Sequence, residues 1–376
     1  MPPITLDGSL GITTPMYNGS ITANAVTPSV NMKNRIINGA FQISQYNGTS
    51  ATTPSSDVYV IDRFRPATSQ ASKLQWQQNK GSITPPAGFS TYLGASVAST
   101  ATIGAGDLFG FVQIIEGSNC ADLGWGTANA KTVTLSFQVY SSETGTFGGT
   151  VNSVAGSYSY PFSYTISSAN TWTSISITIA GPTAGTWVTS TSGNIQVFWG
   201  FGVGSTYGSG TAGAWVASTV LAPTGAKNIM GTNGATFYIT GVQLEVGSTA
   251  TSFDYRPYTT ELQLCQRYLP AFTGANGATT GAIGTGGFFS TTDAAIGIPF
   301  PVTARVAPTG ITFASAGYFQ IDGLTSAACT SATFSSTSQN MGGVNFGYAT
   351  TTTSGSFARL RFNNALGTLL FTGCEL

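Results

Sequence analysis

Apolar residues alternate with polar residues at every second position along much of this chain. The pattern is clearest in residues 133–139, 158–166 and 195–199. Successive side chains of a β-strand point to opposite faces of a sheet, so a period of two predicts strands with one buried face. Turns rich in Gly, Ser and Thr separate these segments. The sequence therefore predicts an all-β protein.

The composition is that of an ordered β-protein with few charges. Charged residues make up 7% of the 376 residues, against about 25% in ordinary globular proteins. Aromatic residues make up 12%, which argues against a disordered low-complexity chain, because such chains lack core-forming side chains. The length predicts two folded units. Faces with so few charges favour an oligomer in which neighbouring chains cover them.

Residues 235–270 contain the most detailed local signals in the chain. The alternation changes phase near Thr240-Gly241, which predicts a β-bulge at that glycine. An aromatic and charged crossing follows at residues 252–258, and Pro257 prevents a helix from starting before it. We expect a long strand, a structured crossing and a helix in that order.

The helix is predicted over residues 259–270. The segment Thr260-Glu261-Leu262-Gln263 fits a capping box at its start. We expect Asp254 and Arg256 to tie the crossing to the start of the helix, where the charge of Glu261 also complements the helix dipole. Structural roles are therefore assigned to Asp254, Arg256 and Glu261, in preference to binding of a cation or a sugar.

Two blocks of this sequence resemble a module found in tail-fibre and receptor-binding proteins of tailed bacteriophages. The first is NRIINGAF (34–41) followed by DRF (62–64), and the second is GVQLEVGSTATSFDYRPYTTELQLCQRYL (241–269). With the N-terminal segment LDGSLGITTPMYNGSI, the resemblance covers roughly the first 270 residues. The resemblance implies a virion fibre, and fibres of this family are usually homotrimers.

The organisation that we predict has four parts. Residues 1–33 form an extended arm or a disordered tail, and the resemblance implies attachment to other tail or neck proteins there. Residues 34–258 form a jelly-roll-like β-sandwich of eight or nine strands. Residues 259–270 form the linking helix, and residues 271–376 form a C-terminal β-domain. In fibres such a terminal domain commonly faces the receptor.

Two local expectations belong to this scheme. The sandwich is expected to begin with strands at residues 34–41 and 58–64, with Asp62-Arg63 as an internal ion pair or an edge-strand charge guard. Residues 273–287 contain six glycines and mark either a boundary or a glycine-rich strand.

The candidate ligand-binding residues are aromatic. The connection at residues 200–234 is long for a compact domain and carries Tyr207 and Trp215. These rings either stack on sugars or plug the end of the sandwich or a seam between subunits. In the C-terminal domain the candidates are Phe288, Phe289, Tyr318 and Tyr348.

Several classes of chemistry are excluded or disfavoured by the sequence. Histidine is absent, which excludes Ser/His/Asp triads and imidazole metal sites. No P-loop or DxDxDG run occurs, so no cofactor and no metal is expected. Thirteen acidic and thirteen basic residues give no net attraction for nucleic acid. No apolar run approaches the roughly 20 residues that span a bilayer, and the N-terminus lacks the pattern of a secretory signal.

The four cysteines are widely scattered. Cys120, Cys265, Cys329 and Cys374 show no CxxC spacing. Free buried thiols are the expectation, with a Cys329–Cys374 disulfide as the alternative.

The function that we expect is that of a structural fibre protein of a tailed-phage virion, made in the host cytoplasm and without enzymatic activity. It would adhere to host surface glycans through weak sites repeated in a homotrimer. Two alternatives remain open. One is a head or neck decoration fibre without a specific receptor, and the other is a glycan-degrading tail enzyme that uses paired carboxylates.

Overall fold

The computed structural model describes residues 32–55, 57–274 and 281–376. Contacts divide the chain into Met1–Lys33 and a compact unit, Asn34–Leu376. The predicted arm therefore lies almost entirely outside the described residues. Among the described residues, no helix is long and apolar enough to cross a membrane.

Ten strands form the first part of the compact unit. In chain order they are β1 (Arg65–Thr68), β2 (Leu74–Gln78), β3 (Leu93–Val97), β4 (Leu108–Glu116), β5 (Val133–Ser141), β6 (Gly145–Ser153), β7 (Ser159–Ile166), β8 (Thr173–Ile179), β9 (Gly193–Val203) and β10 (Thr236–Val246). The order β2-β3-β10-β5-β8 forms one sheet, the front sheet, and β1-β4-β9-β6-β7 forms the other, the back sheet. The chain crosses repeatedly between two antiparallel sheets, so the prediction of a jelly-roll-like sandwich is confirmed.

The sandwich core is built from the inward-facing residue of each alternating pair. Phe111 on β4 and Trp199 on β9 stack with ring centroids 4.9 Å apart, and both are fully buried. Trp76 and Phe237 reach them from the front sheet, at 5.6 and 6.3 Å from the Phe111 centroid. Burial of each such side chain contributes about 1.5–3 kcal/mol to stability. The alternation therefore specifies which face of each sheet turns inward.

The predicted bulge in β10 is confirmed. Thr240 pairs with Gln138, but Gln243 pairs with Ser136, so β10 holds one extra residue between the two pairs. Gly241 lies inside the bulge with φ of +64°, a conformation that glycine adopts without strain.

The two strands expected at residues 34–41 and 58–64 are not formed, so this prediction was wrong. Both segments are irregular, although most of their apolar side chains, with the exception of Val58, are buried. Asn38, Phe41 and Arg63 have positive φ, which breaks an extended backbone at these positions. The Asn38 side chain supplies hydrogen bonds that a ladder would otherwise make, since it bonds to both the N–H and the carbonyl of Ile43.

Asp62 and Arg63 have different partners from those predicted. Asp62 accepts hydrogen bonds from the backbone and side-chain nitrogens of Gln45, both at 2.6 Å. Arg63 forms an ion pair with Glu375 instead of with its neighbour. Neither an internal pair nor an edge guard is present, because the segment is not a strand.

The helix α1 (Tyr258–Gln266) follows the crossing as expected, but not with the predicted cap. Its N-cap is Pro257 and makes no side-chain cap hydrogen bond. Glu261 instead accepts a hydrogen bond from the backbone N–H of Asn38. The predicted capping box was wrong because the helix begins at Tyr258, so Thr260 lies inside its first turn and is not the N-cap.

The C-terminal part contains nine further strands. They are β11 (Ala271–Thr273), β12 (Ala282–Phe288), β13 (Asp293–Pro299), β14 (Gly310–Phe313), β15 (Phe319–Asp322), β16 (Ser326–Thr337), β17 (Met341–Tyr348), β18 (Phe357–Phe362) and β19 (Thr368–Thr372). The order β12-β13-β17-β16-β15-β18 closes into a barrel, and β11-β19-β14 forms a three-stranded sheet. The glycine-rich segment becomes β12 from Ala282 onward, while residues 275–280 lie outside the described residues. Short 3-10 turns occur at Lys80–Ser82, Gly117–Asn119, Ala121–Leu123 and Ala316–Tyr318.

All four cysteines are buried and free. The expectation of free thiols is confirmed, and the alternative Cys329–Cys374 disulfide is not formed. Burial raises the pKa of Cys329 to about 12, which keeps the thiol protonated and unreactive at neutral pH.

Candidate functional site

A groove of about 400 Å³ lies on the outer face of the front sheet, over β10, β5 and β8. We call it the front groove. Polar side chains of β5 and β8 form its floor, and aromatic side chains from the connection before β3 and from the crossing after β10 form its wall. The residues in question are Ser136, Gln138, Ser174 and Ser176 for the floor and Phe89, Phe253 and Tyr255 for the wall.

The floor is a direct result of the strand alternation. Val139 faces the core and is fully buried, so Gln138 and Ser136 face outward. Gln138 lies opposite Ser174 on β8, and the Ser174 hydroxyl donates to Gln138 Oε1 at 3.0 Å. The Gln138 amide nitrogen donates to no described residue and remains available as a donor. Neighbouring strands thus place hydroxyl and amide groups side by side along the groove.

The wall depends on the bulge glycine. A Cβ added at Gly241 would lie 2.6 Å from the tip of the Phe89 ring, so only glycine lets this ring lie against β10. Phe253 packs edge-on to Phe89 with centroids 5.1 Å apart, and Tyr255 packs edge-on to Phe253 at 4.9 Å. These distances and tilts are typical of favourable aromatic pairs. The rings therefore hold each other in place without a ligand.

The electrostatic character of the front groove is neutral. None of its described lining residues is Asp, Glu, Lys or Arg. Partial burial raises the pKa of Tyr255, so its hydroxyl stays protonated at physiological pH. Tyr255 is 54% exposed, so much of its side chain is open to solvent. The arrangement suits an uncharged ligand that has both an apolar face and hydroxyl groups.

The two candidate residues in the long connection have different surroundings. Tyr207 is half-buried and lines a second groove, on the back sheet. Trp215 packs in an aromatic cluster with Trp125, Trp187 and Tyr158 at one end of the sandwich. Its indole N–H donates to the Ala180 carbonyl at 2.7 Å. These contacts are those of a ring that plugs the end of the sandwich.

The four candidates in the C-terminal domain are not brought together into one ligand site. Phe288 and Tyr348 lie in the barrel core, with 2% and 4% exposure, and do not present a ring face to solvent. Phe289 is 57% exposed near the end of β12. Tyr318 is half-buried in the 3-10 turn before β15. Of the four, Phe289 is the ring most available to a partner.

The crossing residues have the structural contacts that were predicted for them. Arg256 pairs with Glu261 at 3.2 Å and lies 3.6 Å from Asp254. Its guanidinium also donates to the carbonyls of Asn34 and Ile36. The crossing, the start of α1 and residues 34–38 are thereby joined. Since these donors and acceptors bind one another, we assign them no ligand.

A second cluster of ionisable groups lies where the connection before β1 meets the segments that follow α1 and β19. We call it the buried joint, and it consists of Asp62, Arg63, Glu116, Tyr268 and Glu375. The Arg63 guanidinium lies 3.6 Å from the Tyr268 ring centroid, and the Tyr268 hydroxyl donates to Glu116 at 2.7 Å. Burial raises the pKa of Asp62 to about 6, although hydrogen bonds from Gln45 oppose the shift. The packing favours a structural role, because Asp62, Arg63, Glu116 and Tyr268 are buried and only Glu375 is partly exposed.

Sequence reasoning missed Phe89, Phe253 and Tyr255 as functional candidates. Phe253 and Tyr255 lie in an aromatic run, SFDYRPY, which indicates a crossing but does not by itself indicate a groove. Phe89 gave no signal, because its position depends on a contact with Gly241, which lies far away in the sequence. Among the described residues, no group of three or more Cys, Asp or Glu side chains is arranged to hold a metal ion.

Comparisons with known proteins give distant similarities only. No protein-family model matches the chain, and no curated protein is similar to it. The enzymatically active domain of bacteriophage CBA120 tailspike protein 4 is similar over 57% of this chain and 22% of its own, at 14% identity and a TM-score of 0.30. TmCBM61 in complex with β-1,4-galactotriose is similar over 57% of this chain and 99% of its own, at 11% identity and a TM-score of 0.30.

The family 11 carbohydrate-binding module of the Clostridium thermocellum cellulase Lic26A-Cel5E is similar over 54% of this chain and 99% of its own. Its identity is 11% and its TM-score is 0.25. This chain thus spans about a fifth of the tailspike chain and nearly the whole of each carbohydrate-binding module. Such likenesses concern the fold alone.

Proposed function

We propose that this protein binds a neutral glycan through the front groove. The single observation that carries the proposal is the uncharged groove in which an exposed tyrosine ring stands beside a floor of serine and glutamine side chains. A pyranose ring has an apolar C–H face that packs on an aromatic ring, and a rim of hydroxyls that exchange hydrogen bonds with amides and hydroxyls. The groove offers both kinds of contact within about 400 Å³.

We further propose that the protein is a fibre protein of a tailed-phage virion and recognises glycans of the host surface. The support is the resemblance of residues 34–64 and 241–269 to such fibres. In the structure these two blocks bind one another through Arg256, Glu261 and Asn38. This contact gives a physical reason for the two blocks to occur together. A homotrimer attached through residues 1–33 would present three grooves, and avidity would compensate for weak single sites.

Binding without hydrolysis is the better-supported activity at this groove. Glycoside hydrolysis requires two carboxyl groups about 5–10 Å apart on either side of the scissile bond. The described lining of the front groove contains none. We therefore propose a receptor-binding protein and not a depolymerase.

The test is a glycan array probed with the purified full chain and with two variants of one residue. Tyr255→Ala is expected to reduce binding of the recognised glycan by about twofold to twelvefold, since an aromatic contact of this kind contributes about 0.5–1.5 kcal/mol. Tyr255→Phe keeps the ring and is the matched control. Phe357→Ala removes a similarly exposed ring from the barrel and should leave binding unchanged. Equal binding by Tyr255→Ala and the unaltered protein would exclude the front groove.

Two further measurements address the fibre proposal. Light scattering of the full chain should give a mass near three times 38.6 kDa. Release of reducing sugar from a bound polysaccharide should stay at background. A stable monomer would contradict the trimer, and sustained sugar release would favour a tail enzyme instead.

A further inference from the structure

A second groove, of about 470 Å³, lies on the outer face of the back sheet. We call it the back groove. Asn152 on β6 and Gln196 on β9 lie opposite each other on its floor, and Tyr207 lines it from the connection after β9. No lining residue is shared with the front groove. Its described lining also contains no Asp, Glu, Lys or Arg, so an uncharged ligand is expected here too.

The floor of the back groove presents an amide with unused hydrogen-bonding capacity. Gln196 Nε2 donates to Asn152 Oδ1 at 3.2 Å, and Asn152 Nδ2 donates to the Ser153 carbonyl at 3.2 Å. These bonds orient both amides. Gln196 Oε1 accepts no hydrogen bond from any described residue. A half-buried carbonyl oxygen of this kind is an acceptor for a ligand N–H.

Apolar side chains that line the back groove lie beside this amide. Phe198 follows Gln196 by two positions on the same face of β9 and is fully buried beneath Leu221 and Tyr207. The Tyr207 carbonyl accepts the Leu221 N–H at 2.8 Å, so the connection holds both side chains over the sheet. The back groove therefore combines an amide acceptor, an aliphatic side chain and a tyrosine ring.

We propose that the back groove binds an N-acetylated amino sugar. Its acetamido group carries an N–H, which needs an acceptor such as Gln196 Oε1, and a methyl, which needs apolar contact such as Leu221 provides. The Tyr207 ring packs on the face of the sugar. A plain hexose has a hydroxyl in place of the acetamido group and leaves the apolar part of the groove unfilled. The proposal rests on residues other than those of the front groove and stands independently of the proposed function.

The experiment uses the full chain with labelled Ile and Leu methyl groups, observed by NMR. Ile175 lines the front groove and Leu221 lines the back groove, so each groove has its own reporter. The probes are the methyl β-glycosides of N-acetylglucosamine and of glucose, which differ only in the acetamido group. We expect saturable shifts of the Leu221 methyls with the acetamido sugar, and binding of the glucoside about tenfold weaker there.

Variants connect these shifts to the named residues. Gln196→Leu should abolish the preference for the acetamido sugar. Tyr207→Ala should weaken the binding of both sugars, as observed through the Leu221 methyl groups. Tyr207→Phe is the matched control and should bind as the unaltered protein does. Unchanged resonances of Ile175 in each variant establish that the fold is intact.

The outcomes separate the two grooves. Absence of a saturable Leu221 shift, or equal affinity for both sugars there, would overturn the proposal and leave the front groove unaffected. A shift at Leu221 without one at Ile175 would support the back groove and show that it binds the acetamido sugar independently of the front groove. An affinity preference that survives Gln196→Leu would also overturn the assignment of the amide acceptor.

Discussion

Arg63 and Glu375 form an ion pair although 312 positions separate them in the sequence. Arg63 is almost completely buried and lies on the connection before β1, whereas Glu375 follows the last strand of the C-terminal part. The pair therefore joins the sandwich to the segment that leaves β19. Tyr46 also donates to Glu375, and Arg305 donates to its backbone carbonyl. The two β-regions are connected by specific polar contacts and not only by the linking helix.

Removal of one partner of this pair should strongly destabilise the protein. Glu375→Gln leaves the buried Arg63 without its counter-charge, and the expected loss of unfolding free energy is about 3–5 kcal/mol. Arg63→Met combined with Glu375→Gln removes both charges and should cost less than Glu375→Gln alone. Urea unfolding of the three proteins gives the values. A double variant less stable than Glu375→Gln would contradict this account of the pair.

Asp62 should make stability depend on pH in the direction opposite to most carboxylates. Its folded pKa of about 6 lies above the unfolded value of 3.8, because burial disfavours the charged form. Between pH 3.8 and about pH 6, Asp62 therefore keeps its proton in the folded state but has lost it in the unfolded state. The contribution of Asp62 to stability is full below pH 3.8 and is lost as pH rises through about 6.

Asp62→Asn tests this dependence. The amide stays neutral, so the difference in unfolding free energy between variant and unaltered protein should change by on the order of 2–3 kcal/mol between pH 4 and pH 7, in favour of the variant at pH 7. Urea midpoints at a series of pH values provide the measurement. A difference that is constant with pH would show that folding does not raise the pKa of Asp62.

Glu116 should make stability depend on pH in the direction opposite to that of Asp62. Burial alone would raise its pKa, but hydrogen bonds from Arg267, Ser118 and Tyr268 outweigh burial and lower it. Its stabilisation is therefore present above the unfolded value of 4.5 and is lost as pH falls through the lowered folded pKa. Glu116→Gln should be less stable than the unaltered protein at pH 7 and should approach it at acid pH. If the unfolding free energies of the two proteins changed with pH in parallel, the stabilising role of the Glu116 charge would be contradicted.

Gly241→Ala should damage both stability and glycan binding. The new Cβ would meet the Phe89 ring, and φ of +64° is strained for alanine, at a cost of about 1–3 kcal/mol. Gly234→Ala is the matched control, because Gly234 has φ of +78° with no atom near the added Cβ. Both variants should lose stability, but only Gly241→Ala should lose binding at the front groove. Loss of binding in both would indicate a general effect of instability.

The four cysteines should be unreactive until the protein unfolds. All are buried, and burial raises the pKa of Cys120 and Cys374 to about 11. A thiol reagent such as DTNB should therefore detect almost no thiol in the native protein and four per chain in guanidinium. Two thiols per chain after unfolding would instead indicate a disulfide.

The sequence predicted the regular strands well and the irregular segments poorly. Residues 133–139 and 195–199 form β5 and β9 because their alternation matches a two-sided sheet. Residues 34–41 have the same apolar content, but Asn38 has positive φ and its side chain bonds to backbone groups of Ile43. Apolar content alone does not distinguish a buried strand from a buried irregular segment.

The candidate site was predictable only in part. The outward polar residues of β5 and β8 follow from alternation, and Tyr255 belongs to a visible aromatic run. The wall also requires Phe89, which lies against Gly241 from about 150 positions earlier in the sequence. Contacts between such distant positions are set by the packing of the whole sandwich, so local patterns cannot reveal them.

The closed barrel has a practical consequence for protein engineering. Because β18 pairs with both β12 and β15, no strand of the barrel is a sheet edge whose pairing ends at solvent. The connections at residues 289–292, 323–325 and 349–356 meet at one end, where Tyr348 bonds to Thr292 and Thr325. Foreign peptides inserted there would be displayed on a frame in which every strand keeps two neighbours. The barrel end is thus a natural position for exchanging recognition loops without redesigning the frame.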